Sequence, residues 1–153
     1  MLRLSRKLMF AIEAVVDIAY HTADTPVQSK DIATRQDIPR RYLEQVLQQL
    51  VREGVLRGVR GPRGGYRLAR ERRRVTLGQI TRIVAAMEDT SDPVESSTSS
   101  QLGREVLRPI WQELQDEAIG KLEELSIEDL CRRARDSGVE GAINPSRSIL
   151  RFD

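Results

Sequence analysis

Apolar residues recur at helical spacing in six stretches of this chain, and turn-forming residues such as Gly, Pro and Ser separate the stretches. An apolar position every three or four residues is typical of a helix that buries one face. The pattern therefore predicts six helices, over residues 5–22, 29–35, 39–53, 77–87, 104–125 and 126–134. Thr76-Leu77-Gly78-Gln79 has the spacing of a capping box before the fourth helix, and Ser126 is expected to cap the last helix.

The second and third predicted helices are spaced like a helix-turn-helix. We expect Ser29 to cap the second helix, Gln36 and Asp37 to form the turn, and Pro39 to begin the third helix. Gly54 is expected to end the third helix in a left-handed conformation. In a helix-turn-helix, the second helix of the pair enters the major groove of DNA.

The third helix has two chemically different faces. Its predicted buried stripe is apolar and consists of Leu43, Val46, Leu47, Leu50 and Val51. Its opposite face carries side chains that can pair with base edges and phosphates, namely Arg41, Glu44, Gln45, Gln48 and Arg52.

A β-hairpin with an arginine at its tip follows the third helix. Residues 55–60 and 66–69 are short β-prone runs, joined by the turn Gly61-Pro62-Arg63-Gly64-Gly65. An arginine on such a tip can enter a narrow minor groove. A nucleotide phosphate loop is the weaker interpretation, because no Lys-Ser/Thr pair follows the glycines and the turn leads into a strand.

Charge is divided unevenly along the chain. Residues 1–75 carry 16 Lys and Arg against 8 Asp and Glu, whereas residues 76–153 carry 9 against 15. A basic first half suits phosphate binding, and an acidic second half would repel DNA. Two solvated surfaces of opposite charge, with no binding role, would show the same division.

The run from Arg70 to Arg74, broken by Glu71, has two interpretations. It contacts phosphates that flank the DNA site, or it is only solvated.

Composition argues against several other classes of protein. The aromatic content of 4% is low for a surface that stacks single-stranded bases. No apolar run approaches ~18 residues and no secretory signal is evident, so we expect no membrane span and a cytoplasmic protein. One Cys, one His and scattered carboxylates form no nucleophile–base pair at recognisable spacing, so we do not expect an enzyme.

The stretch 104–125 has an apolar face along its whole length. A helix of ~20 residues spans about 30 Å, which is long for a small domain to cover alone. We therefore favour a dimerisation helix that packs on its symmetry mate over an intramolecular core helix. The expected interface residues are Leu107, Trp111, Leu114, Ala118 and Leu122.

These elements predict a mostly α fold with a small β wing, made of a winged helix-turn-helix domain and a long dimerisation helix. The predicted divisions are a DNA-binding domain over 1–87, a flexible acidic Ser/Thr-rich loop over 88–103, the dimerisation helix and a short helix over 104–136, and a C-terminal tail over 137–153.

Cys131 has three interpretations. A thiol packed in the core beside Ile127 and Leu130 is favoured. A redox switch is the second, because the adjacent Arg132 and Arg133 would favour a thiolate. A single metal or cluster ligand is the third.

Four segments of the chain resemble the iron–sulfur cluster regulator (IscR) and cysteine-metabolism repressor (CymR) family of bacterial transcription factors. The resemblance covers about residues 1–130. The segments are Ser5 and Lys7 ahead of Val15-Val16-Asp17-Ile18-Ala19, the run Ile38 to Leu47 with Tyr42-Leu43-Glu44-Gln45, the wing Val59-Arg60-Gly61-Pro62-Arg63-Gly64-Gly65-Tyr66, and Trp111 in the long helix.

The resemblance implies a homodimer of winged-helix protomers that binds a pseudo-palindromic operator. The function we expect is a sequence-specific transcriptional regulator, more specifically a repressor. Base-reading positions map to Arg41, Tyr42, Glu44 and Gln45, and Arg60 matches the arginine that enters the minor groove. Arg41 replaces a smaller polar residue of close relatives, so the operator preference is expected to differ. The full set of expected DNA-binding residues is Lys7, Ser29, Arg40, Arg41, Tyr42, Glu44, Gln45, Arg60, Gly61, Pro62, Arg63 and Gly64.

Cluster-binding members of that family carry three cysteines before the long helix, whereas residues 88–103 contain none. Glu105 and Arg108 stand where the last cysteine and a histidine would fall. A guanidinium is not an iron ligand, and carboxylates are poor substitutes for thiolates. We therefore expect a clusterless member without cofactor, acting in cysteine and sulfur, iron–sulfur or redox metabolism.

Two alternatives use the same fold. In the first, the winged helix binds a protein, which would explain the acidic second half. In the second, a partner enzyme or small molecule binds the dimerisation half and controls the DNA affinity of this chain. The basic recognition face and wing favour DNA. The expected partners are double-stranded DNA, a second copy of the chain and an effector, with no membrane.

Overall fold

A computed structural model describes residues 5–22, 25–88 and 100–140. Within these ranges the chain forms six α-helices and a two-stranded antiparallel sheet, so the predicted mostly helical fold with a small β wing is confirmed. The elements are α1 Arg6–His21, α2 Ser29–Gln36, α3 Arg40–Arg52, β1 Leu56–Val59, β2 Gly65–Leu68, a 3₁₀ turn Arg72–Arg74, α4 Leu77–Met87, a π-helical segment Gly103–Leu107, α5 Arg108–Glu124 and α6 Ile127–Asp136.

Two predicted segments fall largely outside this description. Most of the predicted flexible loop lies in residues 89–99, and most of the predicted tail lies in residues 141–153; neither range is among the described residues. Among the helices that are described, none is long and apolar enough to cross a membrane.

Helix α1 lies at the centre of the core because one of its faces is apolar from end to end. Leu8, Ala11, Val15 and Ile18 are each at most 5% exposed. The helix contacts α2, α3, α4, α6 and strand β2. Each large apolar side chain buried in this way contributes roughly 1.5–3 kcal/mol, so α1 is the element against which the other helices pack.

Helix α3 buries a narrower stripe than the sequence predicts. Leu43, Val46, Leu47 and Leu50 are at most 2% exposed, but Val51 is 36% exposed, so the prediction for Val51 was wrong. Each residue turns a helix by about 100°. Val51 therefore lies at the edge of the stripe, beside the polar face.

The predicted helix ends are confirmed at three places and wrong at one. Thr76 and Ser126 form capping boxes, and Gly54 follows α3 with a φ of 77°. Ser29, however, is the first residue of α2, and the N-cap is Gln28, whose side chain makes no capping bond. The cause is tertiary: Val27 forms a β-bridge with a distant residue of the wing, and the chain stays extended through Gln28.

The one buried carboxylate of α1 joins this helix to α2. Asp17 is 2% exposed and accepts hydrogen bonds from Arg35 Nε at 2.9 Å, Arg35 Nη2 at 2.8 Å and Gln36 Nε2 at 2.8 Å. His21 Nε2 lies 3.8 Å from the same carboxylate, but burial lowers the pKa of His21 below its usual value, despite the opposing effect of Asp17. The imidazole is therefore neutral at pH 7, and Arg35 supplies the compensating charge.

Helix α5 leaves the first half of its apolar face exposed, so it is not a core helix of the single chain. None of its residues is buried. Leu107, Trp111 and Leu114 are 55%, 47% and 52% exposed. Ala118 and Leu122 are half-buried on the side of α5 that packs against α4.

We predict that Arg35→Met lowers the free energy of unfolding by about 3 kcal/mol, because it leaves the buried Asp17 carboxylate without a counter-charge. The matched control is Arg82→Met, which removes an exposed ion pair of 2.5 Å with Glu123 and should cost less than about 1 kcal/mol. Urea unfolding followed by far-UV circular dichroism measures both. Equal losses in the two variants would show that the buried pair has no special weight.

Candidate nucleic-acid interface

The polar face of α3 is held outward by the buried stripe on the other side of the helix. Arg41, Tyr42, Glu44 and Gln45 are all exposed, and Tyr42 retains 46% of its surface. These side chains offer a guanidinium fork, a phenol, a carboxylate and an amide. Such groups can hydrogen-bond base edges in a major groove.

An ion pair organises the start of this face. Arg40 Nε lies 3.5 Å from Glu44 Oε1, one helical turn away, and the two side chains are 62% and 53% exposed. Exposed pairs of this spacing contribute only about 0.3–0.5 kcal/mol. Breaking this pair to free either side chain for another contact therefore costs little.

The hairpin presents two exposed arginines on a tightly closed turn. β1 pairs with β2 in the register Leu56↔Leu68 to Val59↔Gly65, and Gly64 N donates to Gly61 O at 2.9 Å. A Cβ on Gly64 would collide with Val59 O and lie 2.8 Å from Gly61 O. The turn therefore needs glycine there, and this holds Arg60 and Arg63 at the surface.

A third extended segment ties the wing to the helix-turn-helix. Val27 N donates to Tyr66 O at 3.0 Å, and Tyr66 N donates to Val27 O at 2.8 Å. A Cβ on Gly65 would overlap Val27 O and lie 2.7 Å from Val27 C, at a φ of 155°. No periodicity around residue 27 predicts this pairing, so sequence reasoning missed it. The pairing fixes the wing to the segment that leads into α2.

The remaining candidates lie at the starts of helices. Lys7 is half-buried in the first turn of α1, behind the N-cap Ser5, whose hydroxyl donates to Glu88 Oε1 at 2.9 Å. Ser29 is half-buried at the first position of α2. Unpaired N–H groups at helix starts attract phosphates, so both positions suit contacts to the DNA backbone.

Cys131 is enclosed in the core, as the favoured interpretation predicted. It is 1% exposed. Burial raises the pKa of its thiol, and the neighbouring Arg72 and Arg135 oppose that rise in part. The prediction that Arg132 and Arg133 favour a thiolate was wrong, because the arginines that act on the sulfur are Arg72 and Arg135. A redox role of Cys131 stays a prediction.

The described part of the chain contains no set of side chains that could bind a metal ion. Residues 5–22, 25–88 and 100–140 contain no group of three His, Cys, Asp or Glu side chains that could hold a metal ion. The whole chain has one Cys and one His. Iron–sulfur clusters are held mainly by several cysteine thiolates, so the residues present do not fit one.

Comparison with known proteins gives a consistent match over most of the chain. The Rrf2 family model, described as an iron-dependent transcriptional regulator, matches residues 4–133. The HTH-type transcriptional regulator IscR of Photobacterium profundum is 33% identical over 134 residues, which cover 86% of this chain and 76% of that protein.

Solved structures share the fold. The IscR structure from T. potens superposes with a TM-score of 0.73 at 29% identity, covering 89% of this chain and 90% of that one. The structure of CymR, the global cysteine regulator of B. subtilis, gives a TM-score of 0.69 at 28% identity, with 87% and 98% covered.

We predict that Gly65→Ala detaches the wing from Val27, at a cost of about 2 kcal/mol, because the new Cβ meets backbone that cannot move aside. Amide hydrogen exchange at Val27 and Tyr66 should accelerate. The control is Gly58→Ala, since a Cβ at Gly58 has no neighbour within 4 Å. Unchanged exchange at both amides in Gly65→Ala would contradict the role of the bridge.

Proposed function

Because this chain belongs to the Rrf2 family of transcriptional regulators, we propose that it is a homodimeric repressor that binds a pseudo-palindromic operator. The family and the relatives establish a DNA-binding helix-turn-helix regulator, and no enzymatic family is indicated. The observation that supports binding to a specific DNA sequence is the combination of two surfaces. They are the exposed polar face of α3 and the arginine-tipped wing, which hydrogen bonds hold to the segment before α2.

Each surface has its own task in this proposal. Helix α3 lies in the major groove, where Arg41, Glu44 and Gln45 contact base edges and Tyr42 packs beside them. The wing lies along the neighbouring minor groove, where Arg60 enters between the strands. Phosphates bind at Lys7 and Arg40 and at the helix starts, and these contacts supply affinity that falls as salt rises.

The second copy of the chain is proposed to cover α5. The exposed apolar strip of Leu107, Ile110, Trp111 and Leu114 is unusual for a helix in water. A two-fold axis passing beside the strip would bury it against its own copy and double the DNA-reading surface. The two α3 helices would then meet half-sites about one helical turn apart, which is the reason for a pseudo-palindrome.

The family description names iron, but we propose that this member holds no iron–sulfur cluster. The argument is the donor set: one Cys in the chain, buried in the core on α6. The signal is proposed to come from cysteine and sulfur, iron–sulfur or redox metabolism, in line with the names of the IscR and CymR relatives.

We predict that purified protein enriches a two-fold-symmetric site from a randomised duplex pool, with half-sites about 10 base pairs apart. Arg60→Ala should weaken binding to that site by about 1–3 kcal/mol and relax selectivity where the wing lies. Arg132→Ala on α6 is the control for loss of one exposed positive charge, and it should leave the selected sequence unchanged.

Four results of these experiments would contradict parts of the proposal. An asymmetric single half-site would exclude the dimer, and no enrichment would exclude sequence-specific readout. Equal weakening on specific and random DNA in Arg60→Ala would exclude base or groove selectivity for Arg60. A reporter gene behind the selected site should be more active in cells that lack the chain, and lower activity would contradict repression.

We predict that protein purified without oxygen, after supply of iron and sulfide, shows no visible cluster absorption and less than stoichiometric iron and acid-labile sulfide. Binding to the selected site should be the same with and without an iron chelator. Stoichiometric iron and sulfide with broad visible absorption would overturn the clusterless proposal.

A further inference from the structure

An open cleft of about 500 Å³ lies where the base of the wing meets the end of α1 and the start of α6. Five arginines line it: Arg57 from β1, Arg67 from β2, and Arg70, Arg72 and Arg73 from the segment that follows β2. We call it the arginine cleft. None of these side chains belongs to the recognition face of α3 or to the tip of the wing.

The lining carries an excess of positive charge. Its two carboxylates already have partners: Glu71 Oε2 lies 2.7 Å from Arg73 Nε, and Glu128 Oε2 lies 3.1 Å from Arg72 Nε. Among residues 5–22, 25–88 and 100–140, no carboxylate forms an ion pair with Arg57 or Arg70. Among the described lining residues, five arginines stand against two carboxylates, and the charges of Arg57 and Arg70 are not balanced by an ion pair.

Two of the arginines face each other across the sheet. Arg57 and Arg67 are partners in the β1–β2 register. Like charges directly opposite on neighbouring strands repel and destabilise a hairpin. Neither side chain is buried in the core, so core packing does not explain why two arginines face each other here. An anion between the two guanidinium groups would be attracted by both of them.

We propose that the arginine cleft binds a small molecule with two or more negative charges, such as a phosphate ester or a di- or tricarboxylate. The guanidinium fork matches the planar oxygen pair of a carboxylate or phosphate. The volume lies within the range of small-molecule sites, about 300–1,000 Å³. Ala19, Thr22 and Leu68 form the less charged wall of the cleft.

The concave shape favours a small anion over a DNA strand. A duplex backbone is convex and follows cations spaced along a surface, whereas here the cations surround a hollow whose lining also includes two glutamates. Those carboxylates would repel a continuous chain of phosphates. A small anion can contact the arginines and still remain away from the two carboxylates.

A bound anion would join the wing to α6. Arg57 and Arg67 lie on the strands that carry the wing turn, and Arg72 is paired with Glu128 of α6. An anion held by all three would change the freedom of the wing, and its binding would be linked reciprocally to that of DNA. This regulatory consequence rests on the proposed function; the anion site itself does not.

The test is isothermal titration calorimetry of the full chain without DNA, at constant ionic strength, with citrate and pyrophosphate as probes. We expect saturable binding of one anion per chain for at least one probe, and much weaker binding of acetate. The double variant Arg57→Gln/Arg70→Gln should bind at least about tenfold more weakly. The control Arg132→Gln, which removes one exposed charge of α6 outside the cleft, should bind like the original chain.

Two calorimetric results would overturn the proposal. They are the absence of saturable binding by the original chain, and equal binding by the double variant and the control. A DNA titration separates the sources of phosphate: if these arginines serve the DNA backbone, the double variant loses DNA affinity and its salt dependence weakens by roughly one unit of slope per lost contact. Loss of DNA affinity with unchanged anion binding would also overturn the proposal. Because the calorimetry uses no DNA, failure of the operator proposal leaves its result intact.

Discussion

The carboxylate of Asp17 is the contact on which the arrangement of the DNA-reading half depends. A buried charge is tolerated only when hydrogen bonds and an opposite charge replace the water it has lost. Arg35 and Gln36 provide both, and they stand at the end of α2, directly before the turn into α3. The last turn of α2 is therefore placed by the chemistry of α1, and the buried leucines of α3 then fix which face of that helix is exposed.

The wing depends on a second long-range constraint. An isolated two-stranded hairpin is at best marginally stable in water. Here it gains hydrogen bonds from Val27 and packs Leu56 into the core, while glycines at 64 and 65 allow backbones to approach where a side chain would collide. Arg60 and Arg63 are thus carried on a supported frame. The same frame places Arg57 opposite Arg67 and makes the arginine cleft.

The two halves of the chain differ in charge and in the surface they expose. The basic first half forms the recognition helix and wing, while α5 in the acidic second half keeps Trp111 and Leu114 exposed. Helix α5 packs one side against α4, and this contact does not bury the apolar residues on its far side. The proposed second copy would cover that face, because the strip would meet an identical strip.

Local chemistry in the sequence by itself determined the helices, the polar face of α3, the capping boxes at Thr76 and Ser126, and the end of α3 at Gly54. Each depends on residues no more than a few positions apart, and periodicity and capping report on that range. Only the tertiary structure decided the pairing of Val27 with Tyr66, which displaced the predicted cap at Ser29, and the convergence of arginines on one cleft. These depend on residues tens of positions apart, whose meeting is set by how the whole core packs.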